Sequence, residues 1–127
     1  MGRVPKFKFG KDQRLLKASE FQEVFDLNTF KISHPNWLLL AKFNGDRESR
    51  LGLVIGKKNI PTAVGRNFVK RLVRETFRKS DFPHSIDVIF LARKGADKLS
   101  ARDMALLLQE SWCRLRQRCN DSKAKNA

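Results

Sequence analysis

The chain of 127 residues carries 27 Lys and Arg against 13 Asp and Glu, a formal net charge of +14. Its length suits one domain, because domains commonly hold roughly 100–200 residues, and a hydrophobic content of 41% excludes a wholly disordered basic tail. No apolar run approaches the roughly 18–20 residues of a membrane helix. The basic residues 1–6 are not followed by an apolar segment, which argues against a secretory signal. We therefore expect a soluble, cytoplasmic domain with a polyanionic partner.

The first third of the chain predicts an arm, a helix and a loop. Residues 1–18 are basic and have no hydrophobic period, which predicts an irregular N-terminal arm. A capping-box pattern at Ser19 and Gln22 then predicts a short helix that reaches about Leu27. Residues 28–36 contain a His-Pro pair and are predicted to form a loop.

The middle of the chain predicts three strands and one helix. The apolar run Trp37–Phe43 suits a strand, and a turn signal at residues 44–46 connects it to a second strand at Arg50–Ile55. Helical periodicity follows from about residue 63 to residue 79, and Ile86–Ala92 forms a third strand.

The last predicted element is a helix that begins with a second capping-box pattern at Ser100 and Asp103 and ends near Cys119. Residues 120–127 are predicted to be a flexible polar tail. The predicted order is α-β-β-α-β-α, and residues 19–119 are predicted to fold as one α+β sandwich, a small sheet with helices packed on it.

The two cysteines indicate neither a disulfide nor a metal site. Cys113 and Cys119 lie on one predicted helix, too far apart for a disulfide while that helix is intact. No histidine or second cysteine pair provides the spacing of a zinc site. We expect two reduced thiols and no metal held by the protein.

Half of the excess charge lies in residues 57–79, where eight basic residues accompany one acid, a net of +7. The predicted helix in this stretch has an apolar stripe formed by Val69, Leu72, Val73, Thr76 and Phe77. The adjoining arc is cationic and contains Arg66, Lys70, Arg71, Arg74 and Arg78. Like charges four residues apart destabilise a helix by roughly 0.2–0.5 kcal/mol per pair. An anionic partner explains this arc better than a solvated helix face, because acids do not alternate with the bases.

The neighbouring residues leave one question open and exclude one function. Asn67, near the start of the helix, can cap the helix or hydrogen-bond a phosphate or base. The loop at residues 56–59 is not a P-loop, because Lys58 occupies the position that requires Ser or Thr. Nucleotide hydrolysis is therefore not predicted.

Three segments, Arg50–Asn59, Gly65–Asn67 and Lys70–Glu75, form a specific combined pattern. This pattern resembles the signature of the bacterial ribonuclease P protein subunit. The resemblance extends more weakly from Arg14 to the last helix, and the size, the charge and the predicted order of elements agree with that family. It implies an α+β domain of the type shared with ribosomal protein S5 domain 2, including a left-handed βαβ crossover. That handedness departs from the general right-handed rule.

The resemblance also implies two sites. The RNA subunit would be bound by Arg66, Asn67, Lys70, Arg71 and Arg74. The single-stranded 5′ leader of precursor tRNA would lie in a cleft between the first helix and the open face of the sheet, where the contacts would be Phe21, Phe25, Trp37, Lys57 and Lys58. Phe68 stands where the family has an arginine, so no contact is carried over to that position.

The residues alone do not decide how the aromatic side chains are used. Phe21 and Phe25 are one helical turn apart, and core packing is the alternative to a cleft. In the first predicted strand, Trp37 and Leu39 alternate with Leu38, so one side of the strand faces the cleft and the other faces the core. The pattern leaves open which side is which.

The resemblance thus implies that the chain is a protein subunit of ribonuclease P, the endonuclease that removes the 5′ leader during tRNA maturation. The family implies that its RNA subunit performs the chemistry with Mg²⁺ bound mainly by RNA, and that one monomeric protein joins each RNA. Two alternatives remain: a ribosomal or RNA-chaperone protein without a part in catalysis, and a DNA-binding module that places the basic helix in a major groove.

Overall fold

A computed structural model describes residues 17–45 and 48–125 of the chain. Within these residues the elements are, in chain order, α1 (Ala18–Leu27), β1 (Phe30–His34), β2 (Trp37–Phe43), β3 (Arg50–Val54), α2 (Ala63–Lys79), β4 (Ile86–Ala92), a 3₁₀ turn (Ala96–Lys98) and α3 (Ala101–Lys125). The predicted single α+β domain is confirmed. No helix in the described ranges is long and apolar enough to cross a membrane.

The four strands of the described residues form one mixed sheet in the order β1-β2-β4-β3. β2 pairs antiparallel with β1 and with β4, whereas β3 and β4 are parallel and are connected through α2. The β3-α2-β4 unit is therefore the crossover to which the predicted handedness refers. β4 suits the centre of the sheet, because six of its seven residues are buried.

The larger core lies between one face of the sheet and the pair α2 and α3. Trp37 and Phe90 on the strands belong to this core, and their rings are 5.8 Å apart between centroids. Trp112 of α3 donates its Nε1–H to Thr76 Oγ1 of α2 at 2.9 Å. That hydrogen bond satisfies two buried polar groups where the helices meet.

A smaller core lies on the opposite face of the sheet, beneath α1. Val24 of α1 packs there with Leu40 of β2 and Ile89 of β4, and all three are buried. The sheet is thus covered on both faces, by one short helix on one side and by two long helices on the other.

The predicted loop at 28–36 was wrong, because it contains β1. Phe30 and Ile32 are buried while Lys31 and Ser33 are exposed, which is the alternation of a half-buried strand. β1 has only five residues, and the His-Pro pair at its end is typical of a loop. The two strands on either side of the predicted turn, β2 and β3, follow each other in the chain, but β4 lies between them in the sheet.

Two predicted boundaries differ from the structure. α1 begins at Ala18, after Lys17, whose backbone N–H donates to Glu20 Oε1 at 3.1 Å. The carboxylate of Glu20 therefore caps this helix, rather than Ser19 and Gln22. Of the predicted arm, residues 1–16 lie outside the described ranges.

α3 continues to Lys125, so the predicted tail was wrong from residue 120 to residue 125. Burial of Leu115 and Cys119 gives the later turns of this helix a packed side. Both cysteines are free thiols, as predicted. Burial raises the pKa of Cys119 to about 11, so its thiol is protonated at neutral pH.

Candidate nucleic-acid interface

α2 is a well-formed helix with defined ends and one packed side. Thr62 is its N-cap, and its side-chain oxygen accepts the N–H of Gly65 at 2.9 Å, so Asn67 does not serve as the cap. At the other end, the backbone N–H of Ser80 donates to the carbonyls of Thr76 and Phe77. The predicted apolar stripe is confirmed, since the buried residues of α2 are Val69, Leu72, Val73, Thr76 and Phe77.

The first turn of α2 requires a residue without a side chain at Gly65, because neighbouring atoms lie close to its Cα. A Cβ at this position would lie 2.9 Å from Asp97 Oδ2 and 2.9 Å from Thr62 Oγ1. Glycine therefore lets the 3₁₀ turn approach the start of α2. The carboxylate of Asp97 then lies near the helix N-terminus, where the helix dipole favours negative charge.

The side of α2 next to its packed stripe forms a cationic groove of about 360 Å³. Its lining consists of Asn67, Lys70, Arg71, Arg74, Glu75 and Arg78. Lys70, Arg74 and Arg78 are partly buried, whereas Arg71 and Asn67 are exposed. Four of the five residues predicted to bind an RNA subunit therefore share this groove.

Arg66 is the predicted residue that does not line the groove. Its Nη1 donates to the carbonyl oxygens of Ile60 at 3.0 Å and Pro61 at 2.9 Å. These bonds hold the loop between β3 and α2 against the helix. Phe68, which stands where the family has an arginine, is partly buried against the larger core.

Glu75 and Arg78 also line the groove, although neither is among the five residues that the resemblance assigns to RNA-subunit binding. Arg78 does belong to the cationic arc predicted from the sequence, because it continues the four-residue spacing of Lys70 and Arg74. The Nε of Arg78 is buried and makes no hydrogen bond within the described residues. An acceptor atom from a partner would satisfy this donor.

α1 crosses the opposite face of the sheet and presents two different edges. On one edge, Glu20 reaches Arg50 of β3 and Glu23 reaches Lys42 of β2 at 3.2 Å. On the other edge, Phe21 is partly buried and Phe25 is 40% exposed. The second edge is therefore apolar and accessible.

The sheet beside this aromatic edge presents an apolar row. Leu38 of β2 pairs with Leu91 of β4, which pairs in turn with Val54 of β3. Leu38 and Leu91 are partly buried against the smaller core with Phe21, and Val54 is exposed. Because paired residues share a face of the sheet, these side chains form one apolar surface beside α1, where the floor of the predicted cleft would lie.

Trp37 does not contribute to this cleft, and its predicted role there was wrong. The side chain is fully buried between the sheet and α3, where Nε1–H donates to Ser111 Oγ at 3.1 Å. Trp37 and Leu39 point toward the larger core, so the intervening residue Leu38 faces the cleft. The alternation was visible in the sequence, but the side covered by the two long helices was not.

Lys57 and Lys58 lie in the loop that follows β3, and both are exposed. Asn59 fixes this loop, because its Nδ2 donates to the carbonyl of Ala92 at 2.9 Å at the end of β4. Val54 is the last residue of β3. The two lysines therefore follow the end of the strand that supplies one side of the cleft floor.

Both the sequence and the fold of the chain are similar to those of known proteins. The family model "Ribonuclease P" matches residues 9–116. The ribonuclease P protein component of Marinobacter nauticus is 42% identical over 115 residues, which cover 90% of this chain and 86% of that protein. The corresponding protein of Pseudomonas aeruginosa PAO1 is 44% identical over 108 residues, covering 84% and 80% of the two chains. The chain belongs to the ribonuclease P protein family.

The fold agrees with a solved member of the family. The ribonuclease P protein from Thermotoga maritima superposes with a TM-score of 0.66 at 27% identity, over 83% of this chain and 96% of that one. Membership makes this chain an RNA-binding component of an endoribonuclease that acts in tRNA processing.

The described residues do not fit a magnesium site held by the protein. They contain no group of three or more His, Cys, Asp and Glu side chains placed to hold a metal ion. Two of the carboxylates, Glu20 of α1 and Asp87 of β4, are paired with Arg50. No step of a reaction is therefore assigned to a metal on these side chains.

Proposed function

We propose that this chain is the protein subunit of ribonuclease P and that it binds two RNAs on two surfaces. The α2 groove binds the catalytic RNA subunit, and the cleft beside α1 binds the 5′ leader of precursor tRNA. Together these contacts promote endonucleolytic removal of the leader. We expect one protein for each RNA subunit and a cytoplasmic location.

The α2 groove is the observation that carries this proposal. Lys70, Arg71, Arg74 and Arg78 surround it, and Glu75 is the only acid in its lining. Arginine offers several N–H donors in a planar fork that matches phosphate oxygens. A helix held rigidly by a buried stripe presents these donors in a fixed arrangement, which suits a folded RNA with a defined array of phosphates.

The cleft has different chemistry and suits a flexible single strand. Phe25 offers an exposed ring, the floor at Leu38 and Leu91 is apolar, and Lys57 and Lys58 lie beyond the end of β3. Single-stranded RNA is commonly held by stacking of bases on aromatic rings together with basic contacts to the backbone. Such a site tolerates many leader sequences, because every base has a face that can stack.

We assign the chemical step to the RNA subunit and the family's Mg²⁺ to that RNA. The protein then acts through affinity: its cations reduce the repulsion between two RNAs, and its cleft adds contacts to the substrate. Assembly should weaken as the salt concentration rises, because phosphate contacts release counterions.

Reversal of charge in the α2 groove tests the proposal. A Lys70→Glu/Arg71→Glu variant should bind the RNA subunit at least about 100-fold more weakly at near-physiological salt, since a charged hydrogen bond contributes about 1.5–3 kcal/mol. Affinity is measured by filter binding, and cleavage of precursor tRNA is measured with and without the cognate RNA subunit.

The matched control is Arg102→Glu/Lys98→Glu, which makes the same change in charge near the start of α3. This control should keep most of the affinity. Unchanged binding by the α2 variant would overturn the assignment of the groove. Equal binding to any structured RNA, without stimulation of cleavage, would instead indicate an RNA chaperone. Selectivity for duplex DNA would indicate a DNA-binding module.

A further inference from the structure

A partly buried network of charges connects the start of α1 to the centre of the sheet. Arg50 of β3 donates from Nε to Asp87 Oδ1 at 2.9 Å and from Nη2 to Asp87 Oδ2 at 2.7 Å. Its Nη1 donates to Glu20 Oε2 of α1. Asn44 Nδ2 also donates to Asp87 Oδ1, at 2.7 Å. One guanidinium thus joins β3, β4 and α1.

The network is sheltered from water, unlike the second ion pair of α1. The side chains of Arg50, Asp87 and Glu20 are 12%, 6% and 20% exposed to solvent. Hydrogen bonds from Arg50 to Asp87 raise the pKa of the guanidinium. In the pair between Lys42 and Glu23, the carboxylate is 55% exposed, and pairs of that kind contribute little.

Glu20 has two roles at the start of α1. One carboxylate oxygen accepts from the backbone N–H of Lys17, and the other accepts from Arg50. Because Arg50 is held on two sides by Asp87, the position of Glu20 relative to the sheet is defined. In this ten-residue helix Val24 is buried and Phe21 is partly buried against the same small core, so the apolar packing that constrains the rotation of α1 comes from two side chains.

Glu20 and the aromatic edge lie on either side of the buried Val24 on the same helix. Glu20 and Phe21 are adjacent in sequence and so point about 100° apart around the helix axis. Any rolling or shift of α1 that follows loss of the Glu20 contact would move Phe21 and Phe25 relative to the floor at Leu38 and Leu91. The width of the cleft therefore depends on charges that the leader does not touch.

We propose that Arg50, held by Asp87, positions α1 through Glu20 and thereby sets the geometry of the leader cleft. This inference rests on the proposed function of the cleft. Glu20, Arg50 and Asp87 are positioning residues, because they act through the placement of Phe21 and Phe25. The expected consequence is a loss of substrate affinity that depends on the length of the leader.

The test uses the reconstituted holoenzyme with two precursor tRNAs, one with a leader of a single nucleotide and one with a long leader. Glu20→Gln removes the charge that Arg50 contacts and preserves the Arg50–Asp87 pair. It should raise KM for the long-leader substrate about fivefold or more, the low end of what one lost stacking contact costs. KM for the short-leader substrate, and the affinity for the RNA subunit, should stay within twofold of wild type.

Three further variants make the result decisive. Glu23→Gln removes the exposed ion pair from the same helix and should leave both KM values unchanged. Arg50→Lys keeps the charge but lacks the planar fork, and it should reproduce the effect of Glu20→Gln. Phe25→Ala removes the exposed ring directly and should raise KM for the long leader, with no change in the thermal unfolding temperature.

The outcomes separate this inference from the function on which it rests. If Phe25→Ala raises KM for the long leader but Glu20→Gln behaves as Glu23→Gln does, the positioning role is wrong and the cleft stands. If Glu20→Gln affects both substrates equally, the network supports the fold in general, and the inference is again wrong. If Phe25→Ala leaves the dependence on leader length unchanged, the proposed cleft itself is wrong.

Discussion

The two surfaces proposed to bind RNA are attached to the sheet in different ways. α2 has 17 residues, buries five of them, and shares a hydrogen bond between Thr76 and Trp112 with α3. α1 has ten residues and buries one, and its remaining attachment is provided by the partly buried Phe21 and by ion pairs to the sheet. The cationic groove is therefore part of a close-packed body, whereas the aromatic cleft is bounded by a lightly packed helix.

This difference suits the RNAs that each surface is proposed to bind. A folded RNA subunit presents one defined arrangement of phosphates. A rigid array of donors loses little conformational entropy when it binds such a surface. Leaders differ in sequence, and an aromatic edge beside a smooth apolar floor makes contacts that do not depend on base identity. The contact between Glu20 and Arg50 is proposed to hold the cleft without requiring a large core on that face.

The largest expected effect comes from removal of packing beneath each helix. Phe77→Ala on α2 should lower the free energy of unfolding by about 3–5 kcal/mol, the usual cost of an aromatic ring lost from a core. Val24→Ala on α1 should cost about 1–2 kcal/mol, at roughly 0.8 kcal/mol for each methylene-sized group. Urea unfolding monitored by circular dichroism measures both values. Equal losses in the two variants would contradict the comparison between a strongly and a weakly packed helix.

An intermediate effect is expected where Trp37 meets α3. Ser111→Ala leaves the indole N–H of Trp37 buried without its partner, and it should lower the free energy of unfolding by about 1–3 kcal/mol. The dependence of KM on leader length should be the same in this variant as in wild type. The reason is that Trp37 lies on the face of the sheet opposite the cleft. A selective loss of affinity for long leaders would place Trp37 in the cleft after all.

The smallest expected effect concerns the salt dependence of RNA-subunit binding. Arg71→Ala should make the slope of log K against log salt shallower by about 0.7–0.9, the contribution of one phosphate contact. Phe25→Ala should leave this slope unchanged, because its ring carries no charge. Titrations of the RNA subunit at several salt concentrations measure both slopes. A matching change in both variants would mean that the two surfaces do not bind separate RNAs.

Much of the α2 surface could be inferred from local sequence, because a helix converts spacing into geometry. The stripe of Val69, Leu72 and Val73 and the adjoining cations follow from 3.6 residues per turn, whatever else the chain does. Arg66 is an exception within the same helix. Its use of the Ile60 and Pro61 carbonyls depends on how the preceding loop folds back, and helical spacing carries no information about that loop.

The α1 surface could be inferred only in part. The helical spacing of Phe21 and Phe25 was visible, but their surroundings depend on strands that are distant in the chain. β1 was missed because a five-residue strand beside a proline is a weak local signal. Its presence changes the order of elements from the predicted one, although the α+β class is unaffected.

The sequence by itself determined the single α+β domain, the cationic arc of α2 and the resemblance to the ribonuclease P protein family. Composition and short-range periodicity are sufficient for the domain and the arc, and the resemblance rests on the motif residues of Arg50–Asn59, Gly65–Asn67 and Lys70–Glu75. Only the tertiary structure decided that Leu38 rather than Trp37 faces the cleft, since the choice depends on which helices cover each face of the sheet. It alone also placed Glu20, Arg50 and Asp87 together. These residues lie on three separate elements, and pairing between distant elements follows from sheet order, which no local pattern encodes.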